Sequence, residues 1–137
     1  KSRGFVRELV DKLGENDVCI AKHPFRNSVY EEANFIAAEI KKGNRYLRDR
    51  YQDEIIAKEI ADCSPLTGLY YCGIFARRNN PKVNAAFEDW FMQNILYSSF
   101  DQNSFVKTVY KYMLQLSIID FSSFYDNDYY SLSKHSK

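Results

Sequence analysis

Lys22, His23 and Arg26 follow a short apolar run, and Glu31 and Glu32 come a few positions later. Cations, an imidazole and two carboxylates at this spacing suit an anionic or hydroxyl-rich ligand. The positive groups can hold a phosphate or pyrophosphate, and a helix starting near Ser28 adds backbone donors. The same residues have a plainer reading. Ser28 followed three positions later by Glu31 is a capping box, in which Glu31 bonds backbone and Glu32 is solvated. No nucleophile stands beside them.

Three further places carry polar residues that a simple core does not need. Gly73 interrupts an apolar strand, which marks a bulge or a close backbone approach. Arg77 and Arg78 end that strand; Arg77 could bind a carboxylate or phosphate, whereas Arg78 reads as a solvated arginine. Asp101 and Gln102 open a later helix. Asp101 could be a general base or orient a hydroxyl, and Gln102 could bond sugar hydroxyls; on spacing alone Asp101 is an N-cap. His135, near the C-terminus, is either a frayed terminal residue or a metal or phosphate contact folded back onto the site. Phosphate-loop, dinucleotide-fingerprint, zinc-protease and nucleophile-elbow signatures are absent. Asp126-Asn127-Asp128 has the Asp-x-Asp spacing of nucleotide-sugar enzymes but lies in a polar tail.

These residues need elements to position them. Val6, Leu9, Val10 and Leu13 recur at helical spacing, and Gly14 stops that helix. Residues 17–21 read as a short buried strand, and Pro24 pushes His23 toward an extended conformation. A helix is expected over 28–42 and another over 46–62. Residues 69–76 form a second apolar strand, 82–98 an amphipathic helix, and a last helix starts at Asp101 and carries Phe105, Val106, Val109, Tyr110, Met113 and Leu114. The sum is a helix-rich α/β chain with two or three short strands. It is one domain over 1–137, or the C-terminal part of a larger one, with a polar tail over 120–137.

At 137 residues the chain can bury a real core, and 45% hydrophobic content is enough to fold it. The 19 basic and 18 acidic residues leave a net charge of +1, which argues against a dedicated nucleic-acid partner. No apolar run is long enough to span a membrane. Cys19, Cys63 and Cys72 lack metal-ligand spacing; Cys19 and Cys72 read as small buried hydrophobes, and the odd number favours a reducing, cytoplasmic compartment. The chain begins at Lys1 rather than Met and looks excised from something longer.

Taken in order, the motifs resemble a family. His23-Pro24-Phe25-Arg26, Val29-Tyr30-Glu31-Glu32-Ala33, an arginine ending an apolar strand, Trp90-Phe91 and Asp101-Gln102-x-Ser104-Phe105 look like the GT-A-like glycosyltransferase domain of bacterial polysaccharide-synthesis proteins and plant Golgi hexosyltransferase-like proteins. The resemblance runs from about Asp17 to Tyr110. It implies a hexosyltransferase using a nucleotide-diphosphate sugar and a glycan or other hydroxyl acceptor, at the inner face of the membrane or free in the cytoplasm. His23 and Arg26 would face the donor diphosphate or sugar, Glu31 or Glu32 would bond hydroxyls, and Arg77 would close the donor pocket. Asp101, with Gln102 beside it, would serve the acceptor hydroxyl. His135 would complete a metal or diphosphate site for a divalent ion, Mn or Mg.

Two departures stand out. Phe100 replaces the arginine that usually precedes Asp-Gln, and the family's aspartate metal motif belongs upstream of this segment. The chain would then be the C-terminal part of the fold. A donor cleft of this kind requires His23, Arg26, Arg77 and Asp101 to converge. The competing expectation is a non-catalytic helical module that binds a protein partner through its aromatic surface.

Overall fold

The structure, a computed structural model, describes residues 2–44, 66–96 and 101–120. The expected helix over 46–62, the tail and His135 lie outside them. The described elements are α1 (Ser2–Leu13), β1 (Val18–Lys22), α2 (Val29–Lys41), β2 (Tyr70–Arg77), α3 (Pro81–Leu96), α4 (Asp101–Tyr112) and β3 (Leu116–Ile119). The protein is mixed α/β with a three-stranded sheet in the order β2-β1-β3. The central strand β1 runs antiparallel to β2 and parallel to β3.

β1 is an unbroken apolar run because it is covered on both faces. Val18 and Ile20 point to one side, into a core with Val83, Ala86 and Trp90 of α3 and Phe105 of α4. Cys19 and Ala21 point to the other, against Leu9 and Leu13 of α1 and Ile119 of β3. Phe75, Phe87, Trp90 and Phe105 meet mostly edge-to-face or tilted, with centroids 5.1–6.2 Å apart. Both described cysteines are buried free thiols whose ionisation burial opposes. No helix of the described residues is long and apolar enough to cross a membrane.

Gly73 sits in a bulge. Ile20 pairs with Phe75 and the next residue, Ala21, with Tyr71, so residues 72–74 loop out of register. The Tyr71 ring lies over Gly73; a Cβ there would meet it at 2.6 Å. Pro81 starts α3, where a missing N–H costs nothing.

Two features depart from the sequence pattern. β3 is a third strand that periodicity does not mark, since Leu114 and Leu116 follow the apolar helix residues without a break in composition. And α4 stops at Tyr112, before Met113 and Leu114, with no glycine to stop it. Met113 takes a left-handed conformation (φ 49°), and the Met113 and Leu114 amides donate to Tyr110 and Val109 carbonyls. This is a Schellman-type cap with methionine where glycine is usual. Met113 is 80% exposed, so its side chain contributes little packing.

Beneath this turn lies a buried carboxylate. Asp17 Oδ2 accepts from Lys82 Nζ at 2.8 Å and from the Gln115 amide at 2.9 Å. Its backbone carbonyl accepts from the Arg78 amide at 2.9 Å, and its amide donates to Gln115 O at 2.8 Å. Burial opposes its ionisation, but the Gln115 amide, Lys82 and Arg78 outweigh that and hold its carboxyl below the usual range.

Two outcomes are expected from urea titrations. Met113→Gly should stabilise the protein by about 1 kcal/mol by relieving the left-handed strain. Asp17→Ala should cost about 1–3 kcal/mol by orphaning buried partners. The Asp17 contribution is full above the ordinary aspartate pKa and is lost as pH falls through the depressed one. Asp17→Asn should therefore flatten the stability profile below pH 3.8.

Candidate functional site

β1 delivers Lys22 and His23 to the sheet end where the parallel strands β1 and β3 both finish, and α2 begins just beyond. Open α/β sheets hold ligands at the carboxyl ends of parallel strands. A cleft of about 370 Å³ opens here, lined by Lys22, His23, Pro24, Ile118, Ile119 and Asp120. The loop between β1 and α2 is tied to the approach to β2. The His23 amide donates to Leu69 O at 2.8 Å, and the Gly68 amide to Asn27 O at 2.9 Å.

His23 organises the turn. Its Nδ1 accepts from the Arg26 amide at 3.1 Å and lies 3.3 Å from the Phe25 amide. Arg26 then reaches back over the turn. Its Nε donates to Glu32, its Cζ lies 4.1 Å from the Phe35 ring centroid, and its Nη2 is 3.4 Å from His23 Nε2. The Arg26 and Glu32 side chains are 20% and 8% exposed. A guanidinium held by a carboxylate and an aromatic face keeps its charge in one place. Burial, and then Arg26, depress the His23 pKa against the opposing pull of Glu32, which favours the neutral imidazole.

The two glutamates divide the work. Ser28 Oγ accepts the Glu31 amide at 3.1 Å, and Glu31 Oε2 accepts the Asn27 amide at 2.7 Å. The capping reading of Glu31 therefore holds, with the carboxylate reaching one residue further back than in the usual box. Glu32 is not solvated: it is buried and fixes Arg26. Phe35, one turn beyond Glu32 on α2, completes the cluster; the Glu32-x-x-Phe35 spacing that puts both on one helix face is its only sequence signal.

Asp101 and Gln102 open α4, apart from this turn. The Asp101 carbonyl accepts Trp90 Nε1 at 3.0 Å; Trp90 also bonds Ser104 Oγ at 3.0 Å, and Ser104 donates to Asn94 at 2.5 Å. This network fastens α3 to α4. Burial raises the Asp101 pKa, opposed by the Gln102 amide and by its own. A half-buried carboxyl so raised has the character of a proton acceptor.

Arg77 does not join His23. It pairs with Val18 at the start of β1, whereas His23 follows Lys22 at its end, roughly 16 Å of strand away at about 3.3 Å per residue. Its Nη1 donates to Asn84 at 2.8 Å and its Cζ lies 4.8 Å from the Phe87 centroid. Arg78 is not simply solvated. It donates to Asn16 O at 3.0 Å and to Gly14 O, clasping the turn between α1 and β1. Among the described residues, no three of His, Cys, Asp or Glu gather as a metal site.

Because His23 has a depressed pKa, its share of stability is complete above pH 6.5 and declines as pH falls below it. The melting temperature should fall more between pH 7 and 5 in the wild type than in His23→Asn, which keeps an acceptor at the Nδ1 position. Compared with known protein families, curated proteins and solved structures, the chain finds no match.

Proposed function

We propose that the chain is part of a glycosyltransferase that moves a hexose from a nucleotide-diphosphate sugar to a glycan or other hydroxyl acceptor. The observation that carries this reading is the Arg26 guanidinium, fixed by Glu32 and Phe35 beside His23 at the carboxyl end of β1. Sugar transfer needs the leaving diphosphate stabilised as charge develops on it, and a cation already held in place does this without reorganising. The motif order from His23 to Asp101 supports the same reading.

In this scheme Arg26 and His23 face the diphosphate, with Lys22 at the rim of the cleft. Glu32 positions Arg26, and Glu31 holds the loop. Asp101, with Gln102 beside it, serves the acceptor hydroxyl as base or orienting group. Arg77 is left out of the donor pocket, because the antiparallel pairing puts it at the far end of the sheet.

In this reading the main ligands of an Mn or Mg ion belong upstream of this chain, and His135 lies outside the described residues. His23 presents both ring nitrogens to N–H groups. His135 keeps its suggested metal or diphosphate role only as part of this proposal.

The alternative, a helical interaction module, draws on one observation. Phe91, Ile95 and Leu96 of α3 are 61–63% exposed along one helix. The two readings separate in one experiment. Thermal-shift titration with nucleotide-diphosphate sugars, with and without manganese, should raise the melting temperature of the wild type. Arg26→Ala should weaken binding by about 10–100-fold, the cost of one charge-assisted bond of roughly 1.5–3 kcal/mol. Arg77→Ala should leave it unchanged. Absence of any shift, including in a chain extended upstream of Lys1, defeats the transferase reading.

A further inference from the structure

The His23 imidazole lies between N–H groups on both sides. Nδ1 faces the Arg26 and Phe25 amides at 3.1 and 3.3 Å, and Nε2 faces Arg26 Nη2 at 3.4 Å. A neutral imidazole has one N–H and one lone pair, so it cannot accept on both sides. With the lone pair on Nδ1, the backbone amides gain an acceptor and the ring proton leaves from Nε2. With the lone pair on Nε2, the ring proton on Nδ1 meets amide N–H groups that the backbone fixes in direction. A guanidinium can redirect its terminal N–H; an amide in a turn cannot.

We propose that the turn locks His23 in the Nε2–H tautomer, and that this N–H and the Arg26 guanidinium together bind one oxygen of a phosphate group. Two donors 3.4 Å apart repel when alone and are satisfied together by one shared anionic oxygen. The groups facing the ring are Arg26 from its own turn and Glu32 from α2, with Lys22 of β1 and Asp120 beyond β3 lining the same cleft. Glu32 is occupied by Arg26 Nε, which leaves Nη2 as the charged partner of the imidazole. His23 thus binds as a neutral donor, not as an imidazolium. The source of the phosphate, a sugar-nucleotide diphosphate, rests on the proposed function; the tautomer and the oxyanion site do not.

The test uses inorganic pyrophosphate and sulfate as probes on the whole chain. Two-bond proton–nitrogen correlation spectra should show a His23 ring protonated at Nε2 and bare at Nδ1 at pH 7.5, with His135 assigned through His135→Gln. A ring protonated at Nδ1, or averaging between tautomers, overturns the proposal. His23→Asn keeps the acceptor for the turn and loses the outer donor. It should melt near the wild type yet bind pyrophosphate about tenfold more weakly. His23→Gln places an N–H near the Nε2 position and should melt lower yet keep most of the affinity.

Wild-type affinity from His23→Asn makes the residue a turn former only and defeats the idea, as does equal loss in both variants. Sulfate stays a dianion from pH 8 to 6, so its affinity should not climb over that range. A climb that tracks a histidine titration, and disappears in His23→Asn, would mean binding through the imidazolium. Pyrophosphate binding of the expected kind without any nucleotide-sugar binding would retain this site and discard the transferase. Nucleotide-sugar binding indifferent to His23→Asn would do the reverse.

Discussion

The fold hangs on one buried carboxylate. Asp17 stands at the foot of the central strand, and its polar groups together bind three parts of the chain: Lys82 at the entry to α3, the Gln115 amide and carbonyl before β3, and the Arg78 amide leaving β2. Remove it and these parts lose their common point of attachment. A carboxylate so buried is tolerated only because a cation and an amide satisfy it, which makes the junction specific as well as strong. With its foot fixed, β1 can bury both faces and project His23 from the other end.

Most of the elements were legible because the chain punctuates itself. Ser28 caps α2, Gly14 ends α1, Pro81 begins α3, and the apolar spacing fills in between. α4 was legible at its start and not at its end. Methionine in a left-handed cap gives no compositional sign, so the apolar spacing seemed to carry on through Leu114. The strand that follows was hidden for the same reason: Leu116 to Ile119 is too short to show alternation against the helix before it.

The site was legible in types but not in arrangement. His23 and Arg77 each follow an apolar strand and look equivalent on paper. Strand direction is not written in composition, and antiparallel pairing sends the two to opposite ends of the sheet. Within the turn the sequence suggested a capping box, and the cap is there. It could not show that Glu32, rather than lying in water, turns inward to hold Arg26, since that depends on Phe35 closing over the guanidinium. Asp101 reads as a site residue, and the network its carbonyl forms with Trp90, Ser104 and Asn94 first of all joins two helices.

The central position of β1 has a consequence for biosynthesis. Its carboxylate anchor, Asp17, bonds to Gln115, 98 positions further along the chain. At ribosomal speeds of roughly 5–20 residues per second, β1 waits about 5–20 s before β3 exists to pair with it. Throughout that interval an apolar, strand-forming segment keeps at least one edge open, both until β2 is made, and is presented to every neighbouring nascent chain. α1 can shield one face early, since it is made first and lies against Cys19 and Ala21. The opposite face, Val18 and Ile20, has no cover until α3 and α4 emerge, so it is there that a chaperone would bind a growing chain.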